Sequence, residues 1–401
     1  MIYWLLQEAT TAGEQGAALT WPNILTAGVV GAVISFVGLI IGLIFTQRRH
    51  TQTLQTTREL EDHRAQEAAL QNYLEQVGKL LVEEDLRSAT LGDNLSTVAR
   101  AQTLAVLEGL NPNRKRILIR FLYATALLRN NNPVISLVEA NLRMADLGEV
   151  NLEEADLKET RLSEANLNRA TLREVDLSGA NLSGVKFSEA NLSEANLSGA
   201  DLSRAILSKA NLSRANLSRA NLRGAILREA NLREANLSRA NLRKADLRKA
   251  NLRGGDLRRI ELGEANLSET DLSGASLAEA RLNGANLNGA NFVRVDLRGT
   301  SLEKANLRKA NLGGANMRGA NLSGANLSET RLRVAILTKA NLSRAQLNKA
   351  DLRGANLSGA QLRSAIVTQE QLDTARSLEG TILPNRTIIR NFLSRILGRN
   401  F

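Results

Sequence analysis

The hydrophobic positions of this chain repeat every five residues over more than half of its length. From Leu137 to Leu372 a large apolar residue stands at 48 consecutive fifth positions. All but four are Leu, the exceptions being Phe187, Phe292, Met317 and Val367. A small residue, usually Ala, lies two positions before each, and the residue between them is usually Asn or Asp. The repeating unit is therefore A-[DN]-L-x-x, in which x is mostly Ser, Arg, Glu, Lys or Gly.

A period of five fits neither regular element. On an α-helix each Leu would be rotated by about 140° from the previous one, so no apolar stripe would form. On a flat strand an odd period would send alternate Leu side chains to opposite faces. The pattern instead predicts a chain that turns every five residues and winds into coils. The Leu and the small residue point inward, the Asn or Asp points outward, and stacked coils pair as parallel strands.

Exceptions at the outward Asn/Asp position indicate the size of one coil, because they recur at intervals of twenty. A substitution should persist along a stack of neighbouring coils, so this spacing favours four pentapeptides per coil. The recurring exceptions are Lys186, Ile206 and Ile226, then Glu261, Arg281 and Ser301, and finally Gln346 and Ile366.

The gapless A-[DN]-L-x-x array over residues 137–372 resembles the pentapeptide repeat family. That resemblance implies an all-β solenoid, a right-handed quadrilateral parallel β-helix of about 12 coils, roughly 57 Å long at the spacing of paired strands. The family has no common enzyme activity, so the resemblance implies no catalytic residues. The tail with Gln371-Leu372, Leu378-Glu379-Gly380 and Leu383-Pro384 is similar to the endings of membrane-attached, often cyanobacterial, members.

A membrane anchor is predicted before the array, at residues 24–46. From Ile24 to Phe45 there are 22 residues without a charge, enough to cross roughly 30 Å of hydrocarbon as a helix. Arg48 and Arg49 follow it, so the positive-inside rule places residues 1–23 outside and the repeat domain in the cytoplasm. The small residues of this segment, Gly31, Ser35, Gly38 and Gly42, offer a face on which two such helices could dimerise.

The segments that flank the array are predicted to be helical. Residues 47–83 form a predicted helical neck, and residues 84–136 a helical cap whose helices at 97–107 and 114–128 would close the first coil. The basic run from Arg114 to Arg116 is interpreted as a solvated first turn, with anionic lipid or nucleic acid as the alternative contact. Residues 373–401 form a predicted C-terminal cap, in which a helix at 387–401 would close the last coil, pair two arrays into a dimer as in the family, or lie on an anionic membrane surface.

Composition argues against catalysis. The chain has no Cys, 2 His and 3% aromatic residues, which excludes a zinc ribbon, a disulfide scaffold and a cysteine nucleophile. Its carboxylates occur in repeated context, with no unique pair in a concave site. We therefore expect no enzyme activity, no cofactor and no metal.

The distribution of charged residues along the array indicates a candidate interaction surface. The chain carries a net charge of +11, which disfavours the acidic DNA mimicry by which some family members bind gyrase. Residues 137–200 hold 12 acidic and 6 basic side chains, whereas residues 201–260, the basic belt, hold 15 basic and 5 acidic ones. Arginines recur there at twenty, and Ile206 and Ile226 replace outward Asn beside them. The belt columns are Arg219, Arg239 and Arg259; Arg223 and Arg243; Arg228 and Arg248; Arg233 and Arg253.

Two functions follow from this surface. The first is a non-catalytic, membrane-tethered scaffold or interaction rod that binds an unidentified protein, with homodimerisation through the membrane helix or the C-terminal helix. The alternative is an electrostatic binder of nucleic acid or anionic lipid through the belt. Nucleic acid is the less favoured ligand, because the array's only aromatic residues, Phe187 and Phe292, belong to the inward row.

Overall fold

The computed structural model describes residues 48, 55–128 and 133–384. The chain divides into two compact units, Met1–Ala65 and Gln66–Phe401. The described residues 55–65 of the first unit are helical and largely exposed. In the part of the chain that is described, no helix is long and apolar enough to span a bilayer. The predicted anchor at 24–46, with Gly31, Ser35, Gly38 and Gly42, lies outside the described residues.

The second unit begins with a small helical bundle. Helix α1 covers residues 55–83, of which those from Gln66 onward belong to this unit. A 3-10 helix at Leu86–Ser88, α2 at Asn94–Gly109 and α3 at Pro112–Ala124 follow. Helix α3 starts where it does because the Asn111 side chain accepts a hydrogen bond from the backbone N–H of Arg114, and a proline fills the first helical position.

Part of the predicted neck belongs to this bundle. Leu70, Tyr73 and Val77 of α1 are buried, and the Tyr73 hydroxyl lies 2.6 Å from that of Thr103 on α2. The side chain of Gln66 accepts a hydrogen bond from the backbone N–H of Asn111. Residues 66–83 thus pack with the cap, and the predicted division at residue 83 separates segments that share one core.

The bundle is fastened to the first coil by polar contacts. The Arg100 guanidinium donates to the carbonyls of Ser136 and Val138, and Arg116 donates to the carbonyl of Gly148 and to Asp146. The interpretation of the basic run as a solvated turn is therefore wrong. Lys115 is buried, burial lowers its pKa, and Arg114 forms an ion pair with Glu67.

Each pentapeptide of the array is a turn followed by a short extended piece. In one unit the N–H of Ala225 donates to the carbonyl of Leu222 and closes the turn, while the N–H of Leu222 donates to the carbonyl of Asn241 in the next coil. The second x residue has a positive φ at every repeat from Glu139 to Ser364, usually near 60°. This is the left-handed residue that the third position of a type II turn requires.

Parallel bridges join outward residues that are twenty positions apart, from Asn141↔Arg161 to Gln346↔Ile366. One coil therefore takes four pentapeptides. The inward Leu and Ala side chains form one continuous hydrophobic core, which also contains Phe187 and Phe292.

The coils continue past the predicted end of the array at residue 372. A short helix, α4 at Gln369–Asp373, adds one residue to the coil, so that Asn356 pairs with Ser377 and Gln361 with Ile382, twenty-one positions apart. The predicted C-terminal helix at 387–401 lies outside the described residues.

Candidate interaction surface

A coil has four faces and four corners, and the outward residue of each unit lies in the middle of a face. At the centre of one face, the Asn241 side chain donates to Oδ1 of Asn221 at 3.4 Å, and Asn221 donates to Asp201 at 2.9 Å. The Asn221 Oδ1 also accepts the backbone N–H of Arg223 at 3.3 Å. The asparagine ladder thus satisfies the backbone of the corner, and the two x side chains of each corner project from this fixed frame.

Several arginines of the basic belt are neutralised by carboxylates of the same chain. The Arg228 and Arg248 guanidiniums both donate to Asp246, at 2.6 Å and 2.8 Å. Burial acts to raise the pKa of Asp246, but these hydrogen bonds outweigh it and lower the pKa to about 2. On the other faces Arg233 pairs with Glu234 at 2.9 Å.

The face centred on Asn221 and Asn241 differs from the others. Two corners bound this face. Arg219 and Arg239 lie on the corner that precedes Asn221 and Asn241, and Arg223 lies on the corner that follows them; all three are exposed. Within the described residues, no carboxylate lies within 4.0 Å of these three guanidiniums. Arg204, on the same corner as Arg223, shares this property. We call these four arginines and the Asn221–Asn241 ladder the belt face.

The remaining arginines of the belt columns differ in their partners. Arg243 lies 3.8 Å from Glu264, whereas Arg259 pairs with Glu279 at 2.8 Å. Arg253 is exposed and, among the described residues, also has no carboxylate within 4.0 Å, but it lies on a different corner. The structure therefore separates paired from unpaired arginines within a set that the sequence analysis grouped into one candidate surface.

Ile206 and Ile226 are direct neighbours in a parallel bridge, as the twenty-residue spacing implies. Both are only partly exposed. Ile336 and Ile366 project further, at 40% and 54% exposure. The Ile206–Ile226 pair therefore offers little apolar surface to a partner.

Sequence reasoning missed Arg204 because the residue twenty positions later is Gly224, so no arginine repeat marks it. The sequence could have revealed Arg204 if the first and second x residues had been arranged as separate columns at a spacing of twenty. Within each column, a cation with no carboxylate one coil away is a candidate for a free charge.

Grooves between the corners are open and lined by charged side chains. One of about 470 Å³ lies beside the cap, lined in part by Arg116, Asp146, Glu149 and Arg169. Another of about 300 Å³ lies along the corner of Arg239, Arg258 and Arg259. Among the described residues no three His, Cys, Asp or Glu side chains are placed to hold a metal ion.

Comparison with known proteins identifies the array. The family model for pentapeptide repeats matches eight segments between residues 135 and 369. A search of the curated proteins found no match.

Among solved structures, HetL is 39% identical; it is a pentapeptide repeat protein involved in heterocyst differentiation regulation from the cyanobacterium Nostoc sp. strain PCC 7120. The match covers 61% of this chain and 95% of HetL, with a TM-score of 0.23. Rfr23 from the cyanobacterium Cyanothece 51142 is also 39% identical, over 27% of this chain and 58% of its own, with a TM-score of 0.14. QnrB1, a plasmid-mediated fluoroquinolone resistance protein, is 20% identical over 63% of this chain and 97% of its own, with a TM-score of 0.30.

The family model covers more than half of the chain, and the coil of four pentapeptides is consistent with the right-handed quadrilateral β-helix that such repeats form. This chain belongs to the pentapeptide repeat family.

Proposed function

We propose that the chain is a non-catalytic interaction rod that binds an acidic protein partner through the belt face. It is tethered to a membrane by residues 24–46, with its repeat domain in the cytoplasm. The observation that carries this proposal is the concentration of unpaired arginines on one face, while Asp246 and Glu234 neutralise arginines on the others.

The frame behind these arginines supports a binding role. Their backbone carries the ladder hydrogen bonds of the coil, such as the N–H of Arg239 to the carbonyl of Arg258 at 3.0 Å. Only the side chains have to be ordered when a partner binds, so the cost in conformational entropy is limited. A guanidinium without an internal partner can form bidentate hydrogen bonds to an incoming carboxylate.

A second candidate function is electrostatic binding of nucleic acid or anionic lipid. The net charge of +11 and the excess of basic residues in 201–260 favour it. In the described array, however, Phe187 and Phe292 are fully buried and offer no platform for base stacking.

The experiment that tests both compares capture by two charge-reversed variants. The chain, tagged at Phe401 and purified from gently solubilised membranes, is compared with an Arg204→Glu, Arg223→Glu variant. The matched control is Arg344→Glu with Arg363→Glu, which makes the same changes further along the same corner. We expect one protein to co-purify with the wild type and the control and to be lost from the belt variant.

Two other results would decide against the protein-partner proposal. Equal retention by both variants would exclude the belt face as the binding surface. Capture of nucleic acid or lipid alone, released by salt, would favour the second candidate. Repeating the capture without residues 1–46 separates the tether from the binding surface, because a partner of the repeat domain should be retained.

A further inference from the structure

One corner of the array carries a segregated column of charge. Its second x residues, spaced by twenty, begin with two carboxylates, continue with two glycines and then present three guanidiniums, the last of which, Arg259, pairs with Glu279 at 2.8 Å. The first six residues are all exposed. In order they are Glu139, Glu159, Gly179, Gly199, Arg219 and Arg239.

The charges of this column cannot neutralise one another within one chain. At the spacing of paired strands, Glu159 and Arg219 lie three coils apart, roughly 14 Å, and Glu139 and Arg239 lie roughly 24 Å apart. Both separations exceed the screening length of about 8 Å at physiological ionic strength. Throughout the described residues, none of the four has an oppositely charged group within 4.0 Å.

A second corner shows the opposite arrangement. There the second x residues alternate in sign, and adjacent coils pair: Arg169 lies 3.8 Å from Glu149 and 3.1 Å from Glu189. Lys249 pairs with Glu269 at 3.9 Å in the same column. Stacking alone therefore neutralises a column when its charges alternate, and the segregated column remains available for contact with another molecule.

We propose that this column is a self-complementary strip that binds a second copy of the chain in antiparallel orientation. A two-fold axis between Gly179 and Gly199 places Glu159 opposite the partner's Arg219 and Glu139 opposite the partner's Arg239. The symmetry repeats both pairs, as an isologous interface requires. The inference rests on the proposed function as an interaction rod and names one of its partners.

The centre of the strip suits close approach of two corners. Gly179 and Gly199 face each other across the axis and carry no side chain, so the backbones can come nearer than at any corner with a long residue. No heavy atom beyond its chain neighbours lies within 4 Å of a Cβ position at Gly199, whereas at Gly179 the Glu159 Cγ lies 3.2 Å from that position and would have to shift as the corners approach. Because the contact is narrow and its pairs are exposed, the association is transient and sensitive to salt.

Charge reversal of the full-length chain tests the strip. Sedimentation equilibrium in mild detergent measures the dissociation constant of wild type, Glu159→Arg, Arg219→Glu and the double variant. Each single change should weaken self-association by at least about tenfold, since two ion pairs become like-charge contacts, and the double variant should restore it. General repulsion between cationic chains predicts instead that Arg219→Glu strengthens association. Glu229→Arg and Arg344→Glu control for charge at corners outside the strip.

Site-specific cross-linking tests the register independently. The chain has no Cys, so Glu139→Cys and Arg239→Cys each introduce a single thiol. The proposed register predicts a disulfide dimer when the two variants are mixed, and none from either alone, because equal residues lie about five coils apart. Dimers from Arg239→Cys alone, or none from the mixture, would overturn the strip. That outcome would leave partner capture through Arg204 and Arg223 standing, so the two proposals fail separately.

Discussion

Replacing Gln371 by Ala should loosen the C-terminal coils. The Gln371 amide donates to the carbonyls of Leu347 and Ala350 at 2.7 Å and 2.8 Å, and its oxygen accepts the N–H of Thr368 at 2.9 Å. The first two bonds hold α4 against the preceding coil, and the third closes the capping box at the start of α4. At about 0.5–1.5 kcal/mol net for each bond, and with water able to replace part of them, we expect a loss of about 2 kcal/mol.

Hydrogen exchange gives the most direct measurement, because a solenoid can open from its end without unfolding throughout. The amides of Leu362 and Ile382, which bond across the last coils, should exchange about 30-fold faster in the variant, the ratio that corresponds to 2 kcal/mol. Gln346→Ala is the control, since Gln346 is an exposed glutamine in the middle of a face. Equal exchange rates in the two variants would refute the role given to Gln371.

Three further predictions concern single residues. Val334 has a φ of 51°, which a β-branched residue tolerates poorly, so Val334→Gly should stabilise the array by about 0.5–1 kcal/mol in urea denaturation. Val293→Gly, at a first x position without a positive φ, should destabilise it instead. Burial raises the pKa of Tyr73 to about 12 although a hydrogen bond with Thr103 opposes the shift. The folded state holds this proton more tightly, so stability is complete below the ordinary pKa of about 10 and falls as the pH rises from 10 to 12. Between pH 10 and 12 the melting temperature of Tyr73→Phe should therefore fall less than that of the wild type. The dependence on pH is reversed for Asp246, whose pKa is lowered to about 2 in the folded state. Its contribution to the free energy of unfolding is therefore present above pH 4 and is lost as the pH falls through 2. Asp246→Asn should cost about 1 kcal/mol at pH 7, with the difference from wild type closing at pH 2, and an unchanged gap would contradict the pairing.

The periodicity of the sequence predicts most of the array because one rule governs every unit. Leu, Ala and the outward residue each have a fixed place in a five-residue turn, so neighbours follow from arithmetic. Ile206 and Ile226 were expected to stack from their spacing of twenty, and they form a parallel bridge.

The ends of the array were harder to predict, because the structure there depends on contacts of individual side chains and not on the five-residue repeat. Thr368 and Gln371 form a capping box that starts α4 and changes the coil spacing to twenty-one. The T-x-x-Q signal was present in the sequence, but it competed with an unbroken Leu period. At the other end, the contacts of Arg114 and Arg116 depend on Glu67 and Asp146, which are distant in sequence.

The distribution of free charge on the surface also required the structure, for a different reason. The inward residues bury the core and the ladder satisfies the backbone, whatever the corner side chains are. A second x residue can be Glu159, Gly179 or Arg219 without a change in the backbone, which has a positive φ at both glycines and charged residues. The fold therefore constrains the corners weakly, and their chemistry can vary for recognition. Whether a corner charge is available depends on its neighbours one coil away: Arg169 is paired on both sides, whereas Arg219 is not. Under the proposed function, recognition by such an array depends on the order of charges along each column, which the repeat motif leaves unspecified.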